Sequence, residues 1–225
     1  MKFLVLFLFI LSVLPVCFGQ TVTNQKEAEK IYKDSLEENK NAKAYYAEDE
    51  KCRMLMRMKS YADAEISCKR AVAFAEKLPQ RRYLDKATAY ERLGIAFLGQ
   101  QKADGAILYF NKALEARGSK PDAAANASDA GDSEIGDLYF LIGQANHLSG
   151  KIDQARESYT KAENIYRAAF KHYADTPEVA GDIPPVIKNI LETHLVLVEN
   201  AGLKEEAEKI KQRLALFTKE FAEFL

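Results

Sequence analysis

Few residues in this chain can carry chemistry, and several signals that would narrow its function are missing. Three histidines, His147, His172 and His194, are scattered along 225 residues, with no paired-His helical spacing that would build a metal site. No glycine-rich loop follows a strand to cradle a phosphate, and nothing marks a nucleophile elbow. The formal net charge is only -1, so no electrostatic excess favours nucleic acid or an anionic membrane surface. Sustained strand alternation flanked by hairpin turns is absent, which excludes a β architecture. Beyond residue 19 no long apolar run remains. Together these absences argue against an enzyme and against any cofactor or metal.

The first nineteen residues stand apart. Met1-Lys2 is a short basic start, Phe3 to Val16 is apolar apart from Ser12 and Pro15, and the small Gly19 precedes Gln20. That layout predicts a secretory signal peptide over 1–19, a mature chain starting at Gln20, and an exported, periplasmic or secreted protein without membrane contact after cleavage. The alternative is an uncleaved anchor, though the run is short for a span of about 20 residues. Leu14-Pro15-Val16-Cys17 is a poor lipidation signal, because Val16 stands where a small residue is required.

Past the leader only Cys52 and Cys68 remain. Sixteen residues apart, on two helices expected to run antiparallel, they could be bridged in an oxidising compartment. They could equally be separate buried thiols acting as small hydrophobes.

What the chain does have is a pattern that returns. It reads Ala64, Cys68, Ala71; then Ala106, Phe110, Ala113; then Ala155, Tyr159, Ala162. The second and third copies carry a matching half upstream, Tyr90, Leu93, Gly94, Phe97 and Tyr139, Ile142, Gly143, Asn146. Every long apolar pattern here has the 3.6-residue helical period, so the class is all-α. A unit of this size cannot bury its apolar face alone and must stack on its neighbours, which predicts a solenoid of antiparallel helix pairs. The small residues let paired helices approach closely, and the rings fill the space between one pair and the next.

A polar helix with the stripe Ala28, Ile31, Tyr32 and Leu36, opening at Asn24 with Glu27 three residues on, is expected as an N-terminal cap over 20–41. The repeat domain then spans 42–225 in about four pairs. Loops are expected near 118–132, where GSKPDAAANASDAGD lacks any large apolar residue and holds the sequon Asn126-Ala127-Ser128, and near 175–185, which contains Pro177, Gly181, Pro184 and Pro185.

These residues resemble the tetratricopeptide repeat family. The match is close in the second copy and nearly as close in the third, where Asn146 replaces a ring; the first is eroded at Glu48 and Lys51, and a fourth is suggested by Leu191, Leu195, Val198, Gly202, Ala207 and Leu214. The signature alanines lie 42 and then 49 residues apart, more than the family's usual ~34. Long loops, or elongated helices of the kinesin light chain type, account for the difference.

The resemblance implies a right-handed superhelix whose first helices line a concave groove that holds a protein or peptide partner. Carried over residue by residue, that groove comprises Arg53, Met56 and Arg57, then Arg92, Ile95 and Leu98, then Phe140, Gln144, His147 and Leu148, and lastly Glu192 and Val196. Such a mixture suits a peptide with apolar anchors and an acidic group. Some of these side chains, Ile95, Leu98 and Leu148 first, could instead pack between repeats. The carboxylate clamp of some relatives does not fit, because Asp49 and Asp137 would oppose an anion.

The last helix places Ile210, Leu214, Phe217, Phe221 and Phe224 at alternating spacings of four and three. It is either a cap on the preceding repeat or a homodimer seam, and the seam is the basis of the alternative function, a self-assembling structural subunit.

Overall fold

The computed structural model describes the backbone of residues 2–118, 133–173, 175–222 and 224, and their side chains from Gln25 onward except those of Pro177 and Glu178. The helices are α1 (Lys2–Arg57), α2 (Tyr61–Ala75), α3 (Tyr83–Gly99), α4 (Ala103–Gly118), α5 (Ser133–Leu148), α6 (Ile152–His172), α7 (Pro177–Ala180), α8 (Ile183–Asn200) and α9 (Lys204–Glu220), with a 3-10 turn at Gln80–Arg82. Each long helix packs on the next along the chain, and the pairs are α1/α2, α3/α4, α5/α6 and α8/α9. The architecture is an all-α solenoid of stacked helix pairs.

One turn closes all four pairs. The chain leaves each first helix through a residue with positive φ: Lys59 (58°), Gln101 (59°), Gly150 (71°) and Gly202 (73°). The next amide then reaches back five residues, Ser60 to Leu55, Lys102 to Phe97, Lys151 to Asn146 and Leu203 to Val198, at 2.9 Å each. This six-to-one bond satisfies a carbonyl that the helix end would leave unpaired. Gly150 and Gly202 adopt the left-handed conformation without a Cβ penalty, whereas Lys59 and Gln101 adopt it at some cost. The first three turn residues are spaced 42 and 49 apart, as the alanine signature is.

Rings and small residues pack as the signature demands. A Cβ built on Gly94 would come within 2.5 Å of the Phe110 ring, and one on Gly143 within 2.5 Å of Tyr159. Phe110 and Tyr159 are fully buried. Around them the core divides by pair: Tyr45, Cys68, Ala71 and Leu93 at the first junction, Phe110, Leu138 and Ile142 at the second, Tyr159, Tyr166, Ile190 and Phe217 at the third.

Cys52 and Cys68 are joined in a disulfide, with Cα atoms 5.1 Å apart, and this cross-link fastens α1 to α2 where the leading helix is most eroded. A bridge across a 16-residue separation restricts the unfolded chain by about 3 kcal/mol. Replacing both cysteines by Ala is therefore expected to lower the unfolding free energy by about that amount; urea unfolding of the oxidised wild type against the double variant measures it.

The structure departs from the sequence expectations in two places. α1 runs unbroken through Asn24 and Ala42, so the helix start at Asn24 is not present. Between them the chain has no Pro or Gly to break the helix, and Ala28, Glu27, Glu29, Lys30 and Lys33 are good helix formers. The Pro-containing stretch near 175–185 holds the short α7 and the first turn of α8, because Pro184 and Pro185 fall at the N-terminal positions where a missing amide costs nothing. The expected loop near 118–132, with Asn126, lies outside the described residues from 119 on.

Candidate binding groove

First helices of successive pairs touch one another, α1 with α3 and α3 with α5, which places them on the inner side of the stack. A cavity of about 430 Å³ opens on that side, lined by Leu98, Gln101, Gln144, His147, Leu148, Tyr159 and Thr193. Four of the twelve residues expected in the groove converge here: Leu98 from α3, and Gln144, His147 and Leu148 from α5. No acid, lysine or arginine lines it, so the cavity suits an apolar or neutral polar group and offers two side-chain amides and two hydroxyls for hydrogen bonds.

Tyr159 forms its floor. The ring is fully buried, 5.7 Å from Phe140 and 5.7 Å from His194 between centroids, and its hydroxyl has no hydrogen-bond partner. Burial alone pushes this phenol above its ordinary range, so it remains protonated at neutral pH as an unused donor. An unsatisfied buried hydroxyl at the base of a cavity is a place where a ligand acceptor would gain.

The remaining expected residues are distributed differently. Leu148 and Val196 are exposed, at 45% and 51%, and Glu192 and Arg57 are exposed as well. Ile95 and Leu98 pack against the second core junction and Phe140 against the third, so they serve both packing and the groove wall. Met56 packs against the first junction.

Two of the three groove arginines are already engaged. Arg92 pairs with Asp49 across α3 and α1, and Arg53 pairs with Glu50 on its own helix. An acidic group on a partner would have to compete with Asp49 for Arg92, whereas Arg57 stands exposed at the end of α1. Gln101, Tyr159 and Thr193 were missed by sequence reasoning. Gln101 sits in a turn, and Tyr159 carries the ring signature of a core filler. Only the packing of α8 on α6 would have pointed to Thr193.

The seam of α9 is used within the chain. Ile210 and Phe217 are buried, Leu214 and Phe221 pack against the third junction, and Phe224 is 38% exposed. Among the described residues no group of three or more His, Cys, Asp or Glu is placed to hold a metal ion, and no helix is long and apolar enough to cross a membrane.

The class these features define is a helix-pair repeat solenoid whose first helices line its inner side. Residues 42–119 match the family model of the tetratricopeptide repeat, and this part of the chain carries tetratricopeptide repeats. Among solved structures, a putative kinesin light chain with nearly identical TPR-like repeats from Podosopora anserina is similar at 9% identity, covering 79% of this chain and 96% of that one, with a TM-score of 0.45. BtubC (BKLC) from P. vanneervenii is similar at 11% identity over 84% and 92%, with a TM-score of 0.41. No curated protein matches the chain.

Proposed function

We propose that this protein is an exported, non-catalytic scaffold that binds a protein or peptide partner in its concave groove. The observation that carries the proposal is the cavity shared by α3, α5, α6 and α8, lined by no acid, lysine or arginine and by Tyr159, whose buried hydroxyl has no partner. An extended segment would place an apolar side chain against Leu98 and Leu148, and its backbone amides would pair with Gln101 and Gln144. Export is supported by the apolar run from Phe3 to Val16 and by the Cys52–Cys68 bridge, since cytosolic thiols are kept reduced.

The test compares three forms of the protein as bait in its native compartment. Leu148→Asp with Val196→Asp alters the exposed groove wall, and Leu108→Asp alters an equally exposed apolar side chain on α4, a second helix. Wild type and Leu108→Asp should retain the same partner. The groove variant should lose it by about tenfold or more, the cost of a hot-spot contact. Equal retention by all three would place the partner elsewhere.

A further inference from the structure

Adjacent residues on α6 and α8 face two different cavities. Tyr159 and Thr193 face the groove, while Thr160 and His194 face a cavity of about 620 Å³ between α6 and α9, lined also by Arg156, Lys204, Glu205, Glu206 and Arg213. His194 is 3% exposed, and neither ring nitrogen has a hydrogen-bond partner. Its nearest charged neighbour, the Glu206 carboxylate, lies 3.7 Å from Nε2, beyond hydrogen-bonding length. Burial lowers the imidazole pKa and so keeps it neutral at pH 7, with one N–H to donate. A buried imidazole left in this way lacks a partner that the chain itself does not provide.

Apart from Lys204, the other charges facing the cavity are matched within the chain. Arg156 holds Glu206 and Asp153, Arg213 holds Glu163, and the nearby Lys209 holds Glu205. Glu205 and Glu206 therefore meet an incoming group as ion pairs and not as bare carboxylates. Two further features remain unmatched. Lys204 has no acidic partner among the described residues. The N-terminus of α9 begins after Leu203, whose side chain has no oxygen to cap it; the Lys204 amide donates to the Gly202 carbonyl at 3.0 Å, which leaves the amides of Glu205 and Glu206 without a backbone acceptor. An imidazole N–H, an ammonium and free helix-terminal amides converge on one cavity, and all of them donate.

We infer that this cavity is a second ligand site, which takes the oxyanion of a small phosphate or carboxylate on His194, Lys204 and the first turn of α9. Neither the groove nor its partner enters the argument.

The test follows the three histidine rings by nitrogen–proton correlation spectra of ¹⁵N-histidine-labelled protein. Sodium phosphate and sodium acetate are titrated separately, with sodium chloride holding ionic strength constant. The His194 ring should shift to saturation, half-complete at about 1 mM or below, while the exposed His172 ring stays in place. Saturation by phosphate alone assigns a phosphate-type ligand, and saturation by both assigns a carboxylate-compatible site. Lys204→Met, a surface change that leaves every ion pair intact, should weaken the response at least about fivefold, the scale of one charge-assisted contact. His194→Gln should abolish phosphate-dependent thermal stabilisation. A His194 shift that stays linear to about 20 mM, well past the expected half-saturation, would overturn the inference. So would an unchanged titration in Lys204→Met.

Discussion

Replacing Arg167 and Arg213 together by Met is expected to lower the unfolding free energy by about 3–5 kcal/mol, the cost of leaving a buried charge without its partners. Glu163 is the charge in question. It is buried at 1% exposure, accepts a hydrogen bond from Arg167 Nε at 2.8 Å within α6, and is paired by Arg213 from α9. The burden is unequal, because the two guanidinium side chains are 41% and 43% exposed while the carboxylate side chain is 2% exposed. Removing the acid frees cations that already reach water, so Glu163→Gln alone should cost roughly 1 kcal/mol or less. Removing both cations leaves a carboxylate that cannot reach water. Met preserves much of the apolar stem, although it gives up the guanidinium contact that Arg167 makes over the Phe217 ring, 5.2 Å from its centroid, worth about 0.5–1 kcal/mol. Adding Glu163→Met to the double variant should recover most of the loss. Urea unfolding of the four proteins measures all of these values. A loss below about 1 kcal/mol in the double Arg variant would show that Glu163 is not held as described.

Phe110→Ala is expected to cost about 3–5 kcal/mol, the range for emptying a fully buried ring site. Phe110 has no exposed surface and lies against Gly94 on the partner helix, with Ala106, Leu138 and Ile142 around it. Its loss would empty the junction between the second and third pairs. The adjacent Tyr109 is only partly buried, stacked on Phe97 at 5.6 Å between centroids, and its replacement should cost far less. Gly94→Ala supplies an internal check. In wild type the new methyl meets the ring and should destabilise by about 1–3 kcal/mol. In the Phe110→Ala background the ring is gone and the two effects should fall short of additive. Additivity would mean that Gly94 and Phe110 do not share the close approach.

The helix pairs were legible because their signature is local: small residues and rings at fixed helical spacing leave little choice of partner face. Helix ends were legible where glycine marked them, at Gly150 and Gly202, and less so at Lys59 and Gln101, where the same left-handed turn is made by residues with no such preference. The continuity of α1 was hidden by Asn24 and Glu27, which look like a capping pair, although no breaker follows.

Recognition features were read less well, because they depend on residues far apart in sequence. Arg92 looks like an available cation until Asp49, 43 residues earlier, is placed beside it. Tyr159 looks like a core ring, and only its contacts with Phe140 of α5 and His194 of α8 set it in the wall of a cavity. His194 is one of three scattered histidines by sequence and the most buried of them in the structure.

Hydrogen exchange of the protein with and without the captured partner tests the central claim most directly. A partner held in the groove slows exchange in α3, α5 and α8 around Leu98, Gln144, Leu148 and Val196, with α2 and α4 unchanged. Protection confined to α2 and α4, or to the exposed face of α9, would contradict it.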